Sequence, residues 1–225
     1  YRETLDADSS LINLLLKSNE KNPYFIEHGW SSPDGLKVPN GKTFWKSSKN
    51  LLSPDTSITL SWDNGEGIIF YQDISVDDTF MFTINQRVKN NTNNAVTLYP
   101  YGLIRRTGEP ETTKFFVLHE GPLGVFDGTL SEKSYEDLAE AGQKGINIKP
   151  AESGGWTGLT DKYWMTALLP DQNEKYSFTY RYLNSSGGQY QTDFLGKAVK
   201  IQANSEGNFL SRSFAGAKRL ALFDD

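Results

Sequence analysis

The feature that most constrains the fold is a strict alternation of apolar and polar residues, which recurs along much of the chain. Between residues 56 and 62, Ile58, Leu60 and Trp62 fall on one face, while serine and threonine fall on the other. A period of two is typical of a β-strand that buries one face. Four tyrosine and phenylalanine residues repeat the pattern between 176 and 182. The sequence therefore predicts an all-β sandwich or barrel of roughly ten strands.

Further strands are predicted where alternating or apolar runs are bounded by turn residues. They cover residues 67–76, 80–84, 96–106, 113–119, 190–201 and 208–215. Helix formers are scarce. Residues 131–141 predict a short helix, residues 11–16 fit either a helix or a strand, and residues 217–223 favour a helix. A long irregular connection is expected over residues 31–53, which are rich in proline and glycine.

Length and composition exclude several classes of protein. The 225 residues suit one all-β domain, so residues 1–225 are expected to form a single unit. The net charge is −5 at pH 7 and the basic residues are scattered, which argues against a nucleic-acid partner. The chain contains no cysteine, so a disulfide, a thiol nucleophile and a cysteine-based zinc site are all excluded.

Catalytic chemistry has little support in the sequence. The two histidines, His28 and His119, stand in no metal-ligand or catalytic spacing. No nucleophile elbow and no phosphate-binding loop is present. The five tryptophans could form a platform for sugar binding, but their place in the strand pattern favours a role in the core. We therefore expect no catalytic residue, no metal and no cofactor.

A second informative segment runs from Gly154 to Pro170. Two glycines and Trp156 precede an apolar run, residues 163–169, which ends at the proline. A short apolar run bounded by such residues is typical of a strand buried on both faces. The segment predicts a turn at the glycines, followed by the burial of Trp156 and of residues 163–169.

Several short segments, in a fixed order, carry a resemblance to a known family. In the segment just described, the residues that match are Gly154, Gly155, Trp156, Tyr163, Trp164, Ala167 and Pro170. Residues 1–6, 11–16, 22–30, 43–45 and 214–218 fit further segments of the same pattern. Together they resemble the large periplasmic domain of the YidC family of bacterial membrane protein insertases, over nearly the whole chain.

The resemblance implies a β-supersandwich similar to galactose mutarotases, with one or two short helices that include a C-terminal helical segment. It implies a non-catalytic interaction and scaffolding module at the periplasmic face of the bacterial inner membrane. The implied partners are the Sec translocon subunits SecD and SecF, substrate membrane proteins, and the membrane itself through flanking segments. Residues 216–225 would then begin a helical connection to the membrane core.

The C-terminal residues are the predicted contact site. Leu220 and Phe223 are three positions apart and share a helical face, with Lys218 and Arg219 beside them. Such a face suits a partner or a membrane surface, and it equally suits packing onto the domain itself. Two other functions stay open: a carbohydrate-binding or mutarotase-like protein, and a chaperone-like surface that holds unfolded segments in an apolar cleft.

Overall fold

The alternating segments form antiparallel strands in a computed structural model that describes residues 8–110, 119–185 and 187–218. One α-helix, α1 (Tyr135–Ala141), and one turn of 3-10 helix, Gly142–Lys144, follow the eighth strand. In chain order, the strands are β1 (Tyr24–Ser31), β2 (Lys46–Ser47), β3 (Ile58–Asp63), β4 (Ile68–Val76), β5 (Met81–Asn90), β6 (Val96–Thr107), β7 (Gly121–Phe126), β8 (Thr129–Glu132), β9 (Ile146–Ile148), β10 (Trp156–Thr160), β11 (Trp164–Pro170), β12 (Ser177–Leu183), β13 (Gln189–Leu195), β14 (Val199–Ile201) and β15 (Ser205–Ala217).

The strands assemble into two sheets that face each other. Sheet one has the order β1-β6-β13-β12-β9, and β14 also pairs with β6. Sheet two has the order β2-β3-β4-β5-β15-β11-β10-β7-β8. The edge strand of sheet one, β1, packs against β4, β5 and β15, so β2 and β3 of sheet two lie beyond it. The predicted all-β sandwich is confirmed, and so is the presence of one short helix.

The core lies between the sheets in two neighbouring clusters. In the larger cluster, Phe178 and Phe194 of sheet one pack with Leu159 and Leu168 of sheet two. The second cluster joins Trp30 of sheet one to Phe70 and Val88 of sheet two, and contains other buried aliphatic residues. On β5 the burial alternates: Ile84, Gln86, Val88 and Asn90 are buried, while the residues between them are partly or fully exposed.

The outer face of sheet two is divided into a polar half and an apolar half. On β4 and β5, Asp73 accepts hydrogen bonds from Arg87, whose guanidinium also lies 4.6 Å from the centre of the Tyr71 ring. On β11 and β15, Met165, Ala167 and Phe214 form a small buried apolar cluster instead. Side chains on both faces of β11 are therefore buried, which an alternating pattern alone does not predict.

Several predicted elements differ from the structure. Residues 11–16 form neither a helix nor a strand, although Leu16 makes an isolated bridge to Tyr24. The strand expected over 190–201 is two strands, because Gly196 interrupts it and bonds to Pro100. Phe80 sits in a turn with a positive φ of 65° rather than in β5.

The C-terminal prediction also needs correction, since β15 continues to Ala217 and residues 216 and 217 are strand rather than helix. Residue 119 is described but belongs to no strand, and the rest of the predicted strand over 113–119 lies outside the described residues. The helix predicted beyond residue 218 also lies outside them.

Helix α1 begins later than predicted because the first residues of the segment belong to β8. Ser134 caps the helix: its hydroxyl accepts from the amide of Asp137, and the Asp137 carboxylate accepts from the amide of Ser134. This reciprocal pair satisfies amides that the helix itself leaves without partners. Within the described ranges, no helix has both the length and the hydropathy to cross a membrane.

Candidate functional site

The two glycines of the 154–170 segment form a turn that only glycine tolerates. Gly154 and Gly155 have φ angles of 82° and 93°, and a Cβ on Gly155 would lie 2.8 Å from the carbonyl oxygen of Val125. Gln172 fixes this turn. Its amide oxygen accepts from the Gly155 amide at 3.0 Å, and its Nε2 donates to the carbonyl oxygens of Gly155 and Pro170. The start of β10 and the end of β11 are therefore held together.

The hairpin formed by β10 and β11 places the remaining residues of the segment. Residues 165–168 are buried on both faces, which confirms that part of the prediction. Ala167 and Pro170 are buried, whereas Trp156 and Trp164 are half-buried. Trp156 packs against the apolar cluster on the outer face of sheet two rather than in the core between the sheets.

Tyr163 corrects the prediction of continuous burial. Its side chain is 58% exposed, because it belongs to the tight turn that joins the two strands and not to β11. The ammonium group of Lys162 lies 4.9 Å from the centre of its ring. The turn therefore presents an aromatic ring and a positive charge to solvent.

A largely buried ion pair anchors this turn to sheet one. Nη1 of Arg106, on β6, lies 2.6 Å from both carboxylate oxygens of Asp161, and the two side chains are 14% and 15% exposed. The Arg106 guanidinium also lies 5.1 Å from the centre of the Tyr24 ring. Tyr24 in turn hydrogen-bonds Thr166 of β11 at 2.7 Å, and burial raises the pKa of this tyrosine. These contacts thus hold the turn that carries the exposed Tyr163 ring against sheet one.

The structure brings one residue of the predicted C-terminal contact to the same place. The amide of Lys218 donates to the carbonyl oxygen of Tyr163 at 2.9 Å, and burial lowers the pKa of the half-buried Lys218 ammonium. Lys162, Tyr163 and Lys218 thus come together where the central strands β10, β11 and β15 of sheet two end, a place that we call the hairpin tip. Arg219, Leu220 and Phe223 lie outside the described residues.

A cleft of about 460 Å³ opens elsewhere, between β1 and the inner face of sheet two. It forms because sheet one ends at β1 while sheet two continues, and residues 39–52 cover part of the gap. Its lining is mainly apolar: Leu15, Ile26, Pro39, Trp45, Leu52, Ile74, Phe82 and Ile84. The polar residues of its wall include Glu27, His28, Gln72 and Tyr101.

The polar residues of the cleft are already engaged with one another. His28 Nε2 lies 2.7 Å from the Ser213 hydroxyl, and its Nδ1 lies 3.3 Å from the Ser211 hydroxyl. Burial lowers the pKa of His28 to about 4, so the ring is neutral at pH 7. On the other side of the strand, the hydroxyl of Tyr101 donates to Glu27 at 2.7 Å.

The two histidines occupy separate places. His119 lies before β7, where its Nε2 is 3.1 Å from the carbonyl oxygen of Pro122. His28 bonds to β15, and no contact joins the two rings among the residues that the structure describes. A general acid and a general base must both reach the same substrate. The described histidines offer no such pair.

Comparison with known proteins shows the family of the chain. The family described as the YidC periplasmic domain matches residues 1–224. A membrane protein insertase YidC from Beijerinckia indica is 41% identical over 228 aligned residues, which cover all of this chain and 37% of that protein. The chain belongs to the YidC periplasmic domain family. A second YidC, from Granulibacter bethesdensis, is 39% identical and is covered over 40% of its length. The chain thus spans about two fifths of the length of these YidC relatives.

Solved structures show the fold of this YidC domain but not its chemistry. A galactose mutarotase related enzyme from Lactobacillus acidophilus superposes with a TM-score of 0.54 and 9% identity, covering 80% of this chain and 75% of that one. A putative aldose 1-epimerase from Escherichia coli K12 gives 0.50 and 8%, covering 77% and 69%. At such identities, the likeness shows the galactose-mutarotase-like fold alone.

The side chains that hold the 154–170 segment in place could not be predicted from the sequence. Gln172 lies just beyond Pro170, and Arg106 is 55 positions away from Asp161. A glutamine after a strand carries no recognisable signal. The position of Arg106 near the end of a predicted strand gives no partner, because the pairing depends on how two sheets stack.

Proposed function

We propose that this chain is the non-catalytic periplasmic module of a YidC-type membrane protein insertase. The observation that carries the proposal is the family match over residues 1–224, together with YidC relatives that align with the whole chain. The module acts as an interaction and scaffolding unit at the periplasmic face of the inner membrane. Its partners are SecD and SecF and the membrane proteins under insertion, as the resemblance to the family implies.

The hairpin tip is the proposed partner contact of the module. It combines an exposed tyrosine with nearby lysines on a base fixed by the Arg106–Asp161 pair. The remaining residues of the predicted contact, Arg219, Leu220 and Phe223, follow directly in the chain. Tyrosine is enriched at protein interfaces relative to the rest of the protein surface.

The test uses the full-length insertase in cells depleted of their own copy. Leu220 and Phe223 are replaced together by serine, and insertion of a dependent membrane protein is measured. Loss of insertion, with an unchanged melting temperature of the 225-residue chain, is the expected result. Loss of stability with normal insertion would show that the segment packs on the domain instead.

The SecD and SecF partnership is tested by cross-linking. A photoreactive residue replaces Tyr163 at the hairpin tip, and another replaces Leu130, which is 55% exposed on β8. Cross-links to SecD or SecF are expected from position 163 and not from position 130. Equal yields from both positions would remove the hairpin tip as the contact.

The second candidate function is sugar binding or mutarotation. It is favoured by the galactose-mutarotase-like fold and by a cleft that contains Trp45, Glu27 and His28. Against it, His28 is neutral and both its ring nitrogens lie near serine hydroxyls. An aldose epimerase assay on the purified chain is expected to give only background. Activity that disappears in His28→Ala would establish the sugar function.

A further inference from the structure

The segment that covers the cleft has a charge unlike that of the rest of the chain. Residues 35–54, the lysine loop, contain Lys37, Lys42, Lys46 and Lys49 and no acidic residue. The whole chain has a net charge of −5, so this positive charge is local. A cluster of basic residues attracts anionic surfaces over about a Debye length, whatever the net charge of the protein.

The lysine loop also presents large apolar side chains to solvent. Phe44 is 95% exposed and Leu51 is 67% exposed. Their neighbours Thr43, Trp45 and Leu52 line the cleft, so the loop has an inner side and an outer side. Phe44 and Leu51 therefore belong to the outer side, and the loop does not bury them against the protein.

Hydrogen bonds hold Phe44 in this position. The Asn40 carbonyl accepts from the Thr43 amide at 2.9 Å, and the Asn40 side chain accepts from the Lys42 amide at 2.9 Å. Directly after Phe44 and Trp45, β2 pairs with β3, where Lys46 lies opposite Ser61. The exposed ring is thus carried by a fixed turn next to a sheet edge, and its presentation costs little conformational entropy.

Three of the lysines are available to an anionic partner. Lys42, Lys46 and Lys49 are exposed, and none belongs to the ion pairs formed within the described parts of the chain. Lys37 differs, because its ammonium donates to the carbonyl oxygen of Asn64 and lies 5.7 Å from the centre of the Trp62 ring. The three free lysines lie on both sides of Phe44 in the sequence.

We propose that the lysine loop is a lipid-contact surface that binds the headgroup region of an anionic bilayer. Phe44 and Leu51 enter the boundary between headgroups and acyl chains, and Lys42, Lys46 and Lys49 pair with lipid phosphates. Aromatic and aliphatic residues surrounded by lysine are the composition that settles at this boundary. An apolar peptide is the weaker candidate, because the exposed groups stand on the outer side of a loop and not in the cleft.

The proposal is separate from the partner contact proposed for the hairpin tip. It uses other residues, and it needs only that a bilayer is within reach of the domain. The hairpin tip variants leave vesicle binding unchanged if both proposals are correct. Failure of the lysine loop to bind lipid would leave the insertase function as proposed.

The test measures binding of the 225-residue chain to vesicles by co-sedimentation. One set of vesicles contains equal parts of phosphatidylglycerol and phosphatidylcholine, and the other contains phosphatidylcholine alone. Binding is expected to the anionic vesicles and to weaken as salt is raised. Replacing Lys42, Lys46 and Lys49 with glutamine should weaken binding on the order of 100-fold, since each lysine near the surface contributes about fivefold. Phe44→Ser with Leu51→Ser should weaken it about tenfold or more.

Matched controls remove the same number of charges and the same number of exposed apolar side chains elsewhere. Lys89, Lys144 and Lys200 are exposed and are replaced together with glutamine, and Leu130 and Leu210 are exposed and are replaced together with serine. The controls should bind as the parent does, and all variants should keep its melting temperature. The proposal is overturned if the parent does not bind, if controls and loop variants lose binding equally, or if neutral vesicles bind as well as anionic ones. It is also overturned if the loop variants lose only the capacity to keep an unfolded apolar polypeptide soluble, since the surface would then be a peptide site.

Discussion

Just before β10, backbone geometry restricts the residue type as much as packing does. At Gly155 the φ angle of 93° and the nearby Val125 carbonyl both exclude a side chain. Gly128 has a similar φ angle of 72°, but a Cβ there would meet no atom within 4 Å. The two positions therefore separate the cost of the dihedral angle from the cost of the collision.

We predict that Gly155→Ala lowers the free energy of unfolding by about 3 kcal/mol, and Gly128→Ala by about 1 kcal/mol. The difference arises because the alanine methyl group at position 155 collides with backbone, which cannot move without disturbing β7. Urea denaturation of both variants measures the two values. Equal losses would mean that the turn relaxes and that the collision has no cost.

The partly buried histidine of the cleft, His28, should also give the fold a dependence on pH. The pKa of His28 falls from 6.5 to about 4 on folding, because the ring loses contact with water. Between these values the unfolded chain binds a proton that the folded chain does not, so stability falls as the pH is lowered through this window. At about 1.4 kcal/mol per pKa unit, the loss is at most about 3 kcal/mol.

The measurement compares unfolding free energies at pH 7 and pH 4.5 for the parent, His28→Gln and His119→Gln. His28→Gln should be less stable than the parent at pH 7, and it should lose less stability on acidification. His119→Gln should follow the parent. If His28→Gln loses as much unfolding free energy between pH 7 and pH 4.5 as the parent does, the acid sensitivity comes from carboxylates instead.

At the scale of an element, the β10–β11 hairpin shows that one short segment can contribute to two apolar layers. Leu159 and Leu168 point into the core between the sheets, whereas Met165 and Ala167 point to the outer cluster with Trp156. The apolar run over residues 163–169 shows no alternation of apolar and polar residues, because both faces of β11 pack against other side chains. The exposed Tyr163 belongs to the turn that connects the two strands.

We predict that Trp156→Ala lowers the free energy of unfolding by about 2–3 kcal/mol, less than the loss of a fully buried tryptophan. Its ring is half-buried against the outer cluster, so the substitution leaves a shallow gap rather than a cavity. Tyr163→Ala, in the same hairpin, should cost less than about 1 kcal/mol because the ring is mostly in solvent. Thermal unfolding distinguishes the two, and the reverse order would contradict the burial of Trp156.

At the scale of the whole molecule, polar contacts fix how the two sheets stack. Arg106 of sheet one pairs with Asp161 in the β10–β11 turn, His28 bonds to Ser213, and the hydroxyl groups of Thr157 and Thr192 bond directly. Apolar packing between sheets is tolerant of small displacements, whereas a buried hydrogen bond has a required distance. These contacts therefore favour one register of the sandwich.

A double-mutant cycle tests this at the Arg106–Asp161 pair. Arg106→Gln and Asp161→Asn should each lower the free energy of unfolding by about 2–3 kcal/mol, because each leaves a largely buried charge without its partner. The double variant should lose clearly less than the sum of the two. Additive losses, measured by urea denaturation, would show that the pair contributes no coupling between the sheets.

The sequence predicts the parts of this fold that depend on local pattern. The inner faces of β3 and β12 follow from alternation alone. The turn before β10 follows from its two adjacent glycines. Strands of two or three residues, such as β2, β9 and β14, are too short to show a period. The meeting of Tyr163 with Lys218 and the position of the cleft depend on strand order, which alternation does not encode.

The position of β15 has a consequence for the time at which the domain can form. β15 is the last described strand in the chain, yet it lies in the middle of sheet two, between β5 and β11. Its residue Ser205 pairs with Asn90, so more than one hundred residues separate the partners. Until the ribosome has delivered this stretch, β5 and β11 expose unpaired edges, and distant pairing of this kind is slow. A chain that emerges from its first residue onward therefore stays half assembled and liable to aggregate until β15 has followed.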